Sequence, residues 1–219
     1  MLAMARTVHI LLLALLVTAC GGREGRDVVR QDNDAFADKT ARQCLTTLKD
    51  NDVRFTPLPN RDFGGGCRTI DTIKLMSFGT EVSNLGAMTC PLAQNFTAWA
   101  KYAVRPAARK YLGSDVVRIE TMGTYSCRNV NGARSGKLSE HAFGNAVDVA
   151  AFVLKDGRRI SVLSGWNGKS DERAFLRRLH ESACKRFATV LGPDYNAAHA
   201  NHFHFDMGRS MKDGSAFCR

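Results

Sequence analysis

Apolar residues follow two periods along this chain, and each period predicts its own secondary structure. Short runs that alternate or are continuously apolar predict β-strands at residues 53–56, 70–75, 116–121, 124–127, 146–154, 160–163 and 202–207. Longer segments predict helices at residues 35–49, 90–112 and 171–191. The two kinds of element are intermixed, and the sequence contains no internal repeat.

The segment 171–191 is the clearest predicted helix. Its apolar residues form one stripe at helical spacing, which consists of Phe175, Leu179, Ala183, Phe187 and Val190. We interpret this stripe as core packing. In the segment 90–112, Pro91 suits the first turn of a helix, whereas Pro106 is expected to kink or interrupt it because proline has no N–H group.

Intermixed strands and helices, together with the hairpin signal Asp156-Gly157, predict an α+β fold. We expect a mainly antiparallel central sheet flanked by helices. Once an N-terminal leader is removed, the 219-residue chain has the length of a single domain with a sizeable core. We place that domain at residues 41–219.

Residues 1–19 are predicted to be a signal peptide. Arg6 is a short positive region, and the apolar run at residues 10–17 is too short to span a bilayer. Small residues followed by Cys20 resemble a bacterial lipobox, which implies lipidation of the Cys20 thiol, and the next residue, Gly21, favours the outer membrane. An ordinary secretion signal is the alternative. Residues 20–40 are predicted to be a flexible tether.

The net charge of the chain is +10, and it becomes +9 when Arg6 leaves with the signal peptide. A basic surface favours anionic partners such as nucleic acid, anionic lipid or an acidic cell-wall polymer. No basic run is long enough to choose among these partners. Charge alone therefore leaves the partner open.

Six cysteines remain after Cys20 is assigned to the lipid. An even number of cysteines in an exported domain predicts three disulfides, although their spacing allows many connectivities. One pair, Cys184 with Cys218, is expected because the final segment otherwise lacks a tie to the long helix. No Cys-x-x-Cys spacing occurs, so a cysteine zinc site is not predicted.

Histidine and aspartate are concentrated in two distant segments, residues 139–148 and 199–204. Four of the six histidines of the chain lie there, together with Asp148. Three such side chains can hold a zinc ion while a fourth position stays open for water. A single histidine is usually structural, but an ordered set of this kind is much less expected by chance.

Strand alternation decides which of these side chains share a face. One predicted strand places Ala146, Asp148 and Ala150 on the same face, where small neighbours leave room for a metal. The other predicted strand places three polar side chains on one face and two phenylalanines on the opposite face, namely His202, His204 and Asp206 against Phe203 and Phe205.

These motifs resemble a known superfamily. The chain resembles the zinc peptidase superfamily of D-Ala-D-Ala carboxypeptidases, murein endopeptidases and the hedgehog signalling domain. The similar motifs are Ser139-x-His141-x-x-Gly144-x-Ala146-x-Asp148 and His202-x-His204. The bacterial extensin-like C-terminal domain is more similar still, through Tyr125-Ser126-Cys127-Arg128, Ser139-Glu140-His141-Ala142-Phe143-Gly144-Asn145-Ala146 and Asn201-His202-Phe203-His204-x-Asp206. The resemblance covers residues 41–219 and implies a hedgehog or D-Ala-D-Ala peptidase-like fold.

The resemblance also implies roles for individual residues. It makes His141, Asp148 and His204 the ligands of a Zn²⁺ ion. It implies that Arg128 holds a substrate carboxylate or carbonyl, for which a surface salt bridge is the alternative. Ser139 is implied to orient a ligand or the substrate.

The general base is where this chain departs from its commoner relatives. Many relatives carry a glutamate three residues before the last ligand, but this chain has Asn201 there, which cannot take a proton. The pattern His199-x-x-His202-x-His204 instead resembles the penicillin-insensitive murein endopeptidases, in which histidine fills this role. We therefore expect His202, or His199 behind it, to move protons.

Taken together, these implications predict a zinc-dependent peptidoglycan peptidase, either a D,D- or L,D-endopeptidase or a D,D-carboxypeptidase. Its expected substrates are peptidoglycan stem peptides, its expected location is the periplasm with a lipid anchor in the outer membrane, and no nucleic-acid partner is expected. A non-catalytic, zinc-stabilised cell-wall binding module is the first alternative. A periplasmic interaction protein without a metal is the second.

Overall fold

The computed structural model describes residues 36–208 and 215–219. The predicted signal peptide, Cys20 and residues 20–35 of the predicted tether lie outside these ranges. The first described residue, Phe36, is buried, and its amide donates a hydrogen bond of 2.5 Å to Asp71 Oδ1. Within the described ranges, no helix combines the length and the apolar character needed to cross a membrane.

Helices and strands alternate through the described residues, which confirms the predicted α+β class. In chain order the elements are α1 (Lys39–Asp50), β1 (Arg54–Pro57), β2 (Arg61–Asp62), β3 (Arg68–Thr69), β4 (Thr72–Ser77), β5 (Glu81–Ser83), β6 (Met88–Thr89), α2 (Cys90–Trp99), α3 (Arg105–Ala107), β7 (Val116–Gly123), β8 (Ala146–Leu154), β9 (Arg159–Ser161), α4 (Val162–Gly165), α5 (Ser170–Ala183), β10 (Thr189–Leu191), β11 (Phe203–Asp206) and β12 (Phe217–Cys218).

Strand β8 lies inside the largest sheet, whose strand order is β12-β10-β11-β8-β7-β5. It pairs antiparallel with β7, β9 and β11. Strand β10 is antiparallel to β11, whereas the outer pairs β5–β7 and β10–β12 are parallel. This register places Asp148 opposite His204, and His204 opposite Leu191 on its other side. Strands β1, β4 and β6 form a second sheet, and β2 and β3 a third.

An aromatic cluster fills the core behind β11. Phe203 and Phe205 are fully buried, as the alternation predicts. The Phe205 ring lies edge-on to Trp99, with 5.0 Å between ring centroids, and stacks on Phe187 at 4.7 Å. The Trp99 indole N–H donates to the Leu179 carbonyl at 3.1 Å, which ties α2 to α5. Packing on this face leaves the opposite face of β11 for polar side chains.

The predicted helix over residues 171–191 is wrong in its second half. The helix α5 ends at Ala183, and Val190 belongs to β10, which pairs with both β11 and β12. Phe187 and Val190 are buried as expected, but a turn and a strand carry them into the core. The β-branched pair Thr189-Val190 gains a hydrogen-bonded place in the sheet, and this tertiary pairing outweighs the helical spacing.

Two predicted strands also differ from the structure. Residues 124–127 form no strand, because their backbone binds the turn at residues 139–143 instead of a neighbouring strand. The Ser126 amide, for example, donates to the His141 carbonyl at 3.1 Å. The predicted strand at 160–163 ends at Ser161, whose hydroxyl accepts a hydrogen bond from the Ser164 amide and so caps the short helix α4.

The helix that begins at Cys90 continues to Leu112 and contains two π-helical segments. Residues Ala100–Val104 and Ala108–Leu112 are π-helical, and they flank α3, which contains Pro106. Proline cannot donate the i→i−4 hydrogen bond, and a locally wider turn accommodates that loss. The expected interruption at Pro106 is therefore present as a change of helix type.

Three disulfides join the six cysteines of the domain, as predicted. They link Cys44 to Cys90, Cys67 to Cys127, and Cys184 to Cys218. The last pair is the one expected from the sequence, and it ties the end of α5 to β12. The second pair ties β2 and β3 to the segment 124–128, which runs from the end of β7 towards the turn that carries His141.

Gly144 ends that turn in a conformation that favours glycine. Its φ of 63° is left-handed, and a Cβ atom at this position would lie 3.1 Å from the Ala87 carbonyl oxygen. The Gly144 carbonyl accepts a hydrogen bond of 2.8 Å from the Thr89 amide. This close approach fixes the turn at residues 139–143 against the start of α2.

We expect Gly144→Ala to lower the free energy of unfolding by more than the matched change Gly113→Ala. Both positions are left-handed, which costs an alanine about 1–2 kcal/mol, but nothing lies within 4 Å of a Cβ at Gly113. The excess at Gly144 measures the contact with the Ala87 carbonyl. Urea denaturation of both variants checks this, and equal losses would contradict the close approach.

Candidate metal centre

Three buried side chains from three elements meet at one point. His141 comes from the 3-10 turn Glu140–Phe143, Asp148 from β8 and His204 from β11. His141 Nε2 lies 3.1 Å from Asp148 Oδ2 and 3.2 Å from His204 Nδ1, and His204 Nδ1 lies 2.9 Å from Asp148 Oδ1. The structure thus brings together all three residues that the sequence singled out as ligands.

The turn at residues 139–143 fixes the orientation of the His141 ring. Its Nδ1 lies 2.9 Å from the Thr124 carbonyl oxygen, which can accept only if this nitrogen carries the hydrogen. The other ring nitrogen, Nε2, faces Asp148 and His204 and is the atom of His141 that could bind a metal. Ser139 is buried at the start of the turn, where its hydroxyl accepts from the His141 amide at 3.4 Å. The structure therefore places Ser139 behind the His141 ligand.

Asp206 orients His204 in the same manner. The Nε2–H group of His204 donates to Asp206 Oδ2 at 2.9 Å, and Nδ1 faces the cluster. Histidines that bind metals almost always donate their second ring N–H to a carboxylate or a carbonyl. His204 has the carboxylate and His141 has the carbonyl. The sequence did not assign roles to Thr124 and Asp206, although Asp206 shares the predicted face of His204.

The distances between donor atoms fit a zinc ion. Zinc binds nitrogen and oxygen at about 2.0–2.2 Å in tetrahedral geometry, which separates neighbouring ligand atoms by roughly 3.3–3.6 Å. The donor atoms of His141, Asp148 and His204 all lie within 4.8 Å of one another, and the three pairs given above are only slightly closer than this requirement. Two imidazoles and one carboxylate form a borderline donor set of the kind that zinc prefers.

Arg128 completes the surroundings of Asp148. Its Nη2 atom donates to Asp148 Oδ2 at 3.1 Å, and its side chain is 39% exposed while that of Asp148 is 8% exposed. The partner is thus a buried carboxylate of the cluster, not an exposed acidic residue on the surface. The guanidinium has five N–H groups, so donors remain that can reach a bound molecule.

His202 and His199 lie beside the cluster without joining it. His202 Nε2 is 3.6 Å from Asp148 Oδ1, and its ring lies 5.2 Å from that of His199. His202 Nδ1 donates to Asn201 Oδ1 at 2.8 Å, and His199 Nδ1 donates to Asn196 Oδ1 at 2.7 Å. Each amide oxygen selects the tautomer in which Nε2 is free to accept a proton.

The electrostatics divide the histidines into two kinds. Burial opposes a charge on His204, but its hydrogen bonds with Asp148 and Asp206 outweigh burial and raise its pKa to about 9. Burial also opposes a charge on Asp148, but the hydrogen bonds from His141 and His204 hold its pKa far below the usual range. The metal-free cluster is therefore an ion pair, in which a proton on His204 Nδ1 occupies the place of a cation.

At the two flanking histidines burial is not outweighed, so the net shift of the pKa is downward. Burial, and then the neighbouring charges of His202 and His204, lower the pKa of His199 to about 4. Burial likewise lowers the pKa of His202, with only partial compensation from Asp148. Both rings are consequently neutral proton acceptors near pH 7.

An open cleft of about 320 Å³ lies over the cluster. All four histidines of the two sequence motifs line it, together with Arg128, Ser139 and residues of the segment 130–140. The other wall comes from β10, β12 and the loop between β10 and β11. A bound molecule in this cleft would therefore contact the cluster and the flanking histidines together.

The metal-free protein should keep a proton on His204 up to about pH 9, as ring NMR shifts can show. An unperturbed histidine has a pKa of about 6.5. This charge therefore contributes its full stability below pH 6.5, and the contribution is lost as the pH rises through about 9. Asp206→Asn should lower the His204 pKa. His180 is the internal control, because burial lowers its pKa. A His204 midpoint near 6.5 would contradict the ion pair.

The family of the chain follows from comparison with known proteins. The family model described as "Extensin-like protein C-terminus" matches residues 42–219 and so covers the whole cleft and cluster. No curated protein and no solved structure matches the chain significantly. The match confirms the resemblance to the bacterial extensin-like C-terminal domain, and the chain belongs to the extensin-like protein C-terminus family.

Proposed function

We propose that this protein is a zinc-dependent peptidase that cleaves the stem peptides of bacterial peptidoglycan. The observation that carries the proposal is a three-residue donor set, His141, Asp148 and His204, that faces an open cleft beside two further histidines. A purely structural zinc site is normally closed by four protein ligands, whereas a catalytic site keeps one position open. Here three protein donors converge, and two of them, His141 and His204, line the open cleft.

The proposal includes the wider relationship of the fold. We propose that the domain at residues 41–219 is related to the superfamily of D-Ala-D-Ala carboxypeptidases, murein endopeptidases and the hedgehog domain, with a mainly antiparallel sheet at its centre. The shared ligand motifs support this relationship. So does the placement of those motifs on a turn and on adjacent strands, β8 and β11.

Zinc held in this centre would acidify a coordinated water molecule and polarise the scissile carbonyl group. The chain prepares the site for the ion. Thr124 and Asp206 bind the N–H groups of His141 and His204, so both rings present their other nitrogen to the cluster. Asp148 supplies a negative charge that would help to retain a divalent ion. Burial makes this charge costly unless a cation pairs with it.

His202 is the proton carrier in this proposal. Its Nε2 atom faces the cluster, and its low pKa keeps it neutral and able to accept a proton from the attacking water. A proton gained at Nε2 is then given to the amine that leaves. Asn201 keeps the other ring nitrogen occupied, so it has an orienting role at the position where relatives carry the base.

Arg128 and His199 have supporting roles. The exposed guanidinium donors of Arg128 reach the cleft beside Asp148, where they can stabilise negative charge that develops on the carbonyl oxygen. His199 packs on the ring of His202 and is itself held by Asn196. It therefore positions His202 in the cleft.

The location follows from the N-terminal segment. We propose that a lipid on Cys20 anchors the protein in the outer membrane and that residues 20–35, which precede the buried Phe36, let the domain reach its polymer from there. The basic surface, with a net charge of +9 after removal of residues 1–19, favours retention on an acidic cell wall.

Purified protein with its disulfides formed should contain about one zinc ion per chain. Two three-residue groups in the described part of the chain could hold a metal, but one of them, His180 with Cys184 and Cys218, has both cysteines in a disulfide. His141→Ala, Asp148→Ala and His204→Ala should each remove the zinc ion. His180→Ala is the matched control and should keep the ion, because His180 lies outside the cleft and hydrogen-bonds the Arg219 carbonyl. Elemental analysis decides, and full zinc content in all three cluster variants would overturn the ligand assignment.

Hydrolysis of purified sacculi, with and without chelator, tests the activity itself. We expect zinc-dependent release of muropeptides. His202→Ala should keep zinc and lose about 10²–10⁴-fold in turnover, the usual contribution of a general acid–base group. His199→Ala should lose less, because it acts through His202.

Three other outcomes would change the proposal. If His202→Ala loses the metal, His202 is a ligand and the base must be His199. If this variant keeps both metal and activity, the proton-transfer role is wrong. A wild-type protein that holds zinc and binds sacculi without cutting them would be a binding module.

A further inference from the structure

One wall of the cleft is a short two-stranded loop, residues 128–139, which we name the rim loop. The Ser139 amide donates to the Arg128 carbonyl at 3.0 Å, and the Val130 amide donates to the Lys137 carbonyl at 2.9 Å. An antiparallel bridge joins Asn129 to Leu138 between these two bonds. The backbone of the rim loop is thus ordered as a hairpin at its base.

The pairing decides which side chains of the rim loop share a face. Paired residues share a face, and so do residues two apart along each strand. Arg128, Val130, Lys137 and Ser139 therefore lie on one face, and all four line the cleft, as does Leu138 from the other face. Arg128 and Lys137 are diagonal neighbours, a relation that places Cβ atoms roughly 7–8 Å apart or somewhat less. Two long cationic side chains at this separation can contact the same anion.

The two cations have unused capacity. Among residues 36–208 and 215–219, no carboxylate forms an ion pair with Lys137, and Arg128 contacts only Asp148, through one nitrogen. The other acidic groups in the cleft are already engaged. Glu140 accepts from the Asn145 amide group at 2.8 Å, and Asp206 accepts from His204 and from the Gly208 amide.

The opposite wall of the cleft has a different character. Leu191 lies opposite His204 in the sheet, and Phe217 lies one strand further out, opposite Thr189. The Tyr195 ring packs edge-on to Phe217, with 5.9 Å between centroids. These residues line the cleft and carry no charge. The cleft therefore runs from an apolar wall, across the metal centre, to a cationic rim.

We propose that the rim loop is a carboxylate subsite and that Lys137 determines its specificity. Resting on the proposed function, this assigns the substrate a free carboxylate on a residue that flanks the cleaved bond, held by Lys137 together with Arg128. The apolar wall takes the small uncharged residue on the other side of the bond. A stem peptide offers such a carboxylate on its diamino acid or at its C-terminus, and both have the same chemistry.

The test uses zinc-loaded protein and three synthetic stem peptides. One peptide has both carboxylates free, the second has a C-terminal carboxamide, and the third has the diamino-acid carboxylate converted to a carboxamide. For the peptide with the recognised carboxylate, Lys137→Met should raise KM about tenfold and leave kcat nearly unchanged. For the peptide that lacks this carboxylate, the same variant should behave like wild type. The carboxamide peptide whose KM does not change in Lys137→Met identifies the carboxylate that Lys137 binds.

Two variants control for a general effect of charge. Lys137→Arg keeps the cation and should retain most of the affinity. Lys155→Met removes an exposed lysine after β8, outside the cleft, and should change nothing. The subsite would be overturned if Lys155→Met raised KM as much as Lys137→Met does. It would also be overturned if Lys137→Met raised KM equally for all three peptides.

Calorimetric binding of the same peptides separates this inference from the proposed function. If wild type binds the carboxylate form better and Lys137→Met abolishes that preference, the subsite stands even when no peptide is cut. If wild type cuts the peptides but neither KM nor affinity depends on Lys137, the subsite is wrong and the peptidase stands. If no peptide is bound or cut, both proposals are overturned.

Discussion

The antiparallel register between β8 and β11 is the constraint on which the rest of the structure depends. It sets His204 opposite Asp148, and it sends Phe203 and Phe205 into the aromatic core on the other face. A shift of one residue would exchange the two faces and bury the imidazole among aromatic rings. The packing of Phe205 on Trp99 therefore positions the candidate metal centre as much as it stabilises the domain.

The buried charges of the candidate centre lower the stability of the folded protein, so a gain in stability does not explain their presence. Asp148 is 5% exposed, and burial of an isolated carboxylate costs several kcal/mol. Hydrogen bonds from Arg128, His141 and His204 offset this cost only while all are present. Loss of one partner leaves the others with uncompensated charge. Such concentrations of mutually dependent charge are expected where a protein retains a function at the expense of its packing.

The sequence predicted the parts of this arrangement that are local. Strand alternation alone put His204 and the two phenylalanines on their correct faces, since the face of a strand residue depends only on its neighbours. The end of α5 was missed because Phe187 and Val190 continue a helical spacing while a turn and β10 deliver them to the same core. Thr124 was missed because a backbone carbonyl that accepts from a ring N–H leaves no trace in the residue type.

The disulfide between Cys67 and Cys127 contributes to the assembly of the candidate centre. It fixes the segment 124–128, which supplies both the Thr124 carbonyl behind His141 and the Arg128 guanidinium beside Asp148. Without this bond the segment keeps only noncovalent contacts, among them the Ser126 backbone hydrogen bond, the Tyr125–Phe63 ring contact and the Arg128–Asp148 ion pair. Oxidation of these two thiols is consequently expected to hold two separate parts of the candidate site in place with one covalent bond.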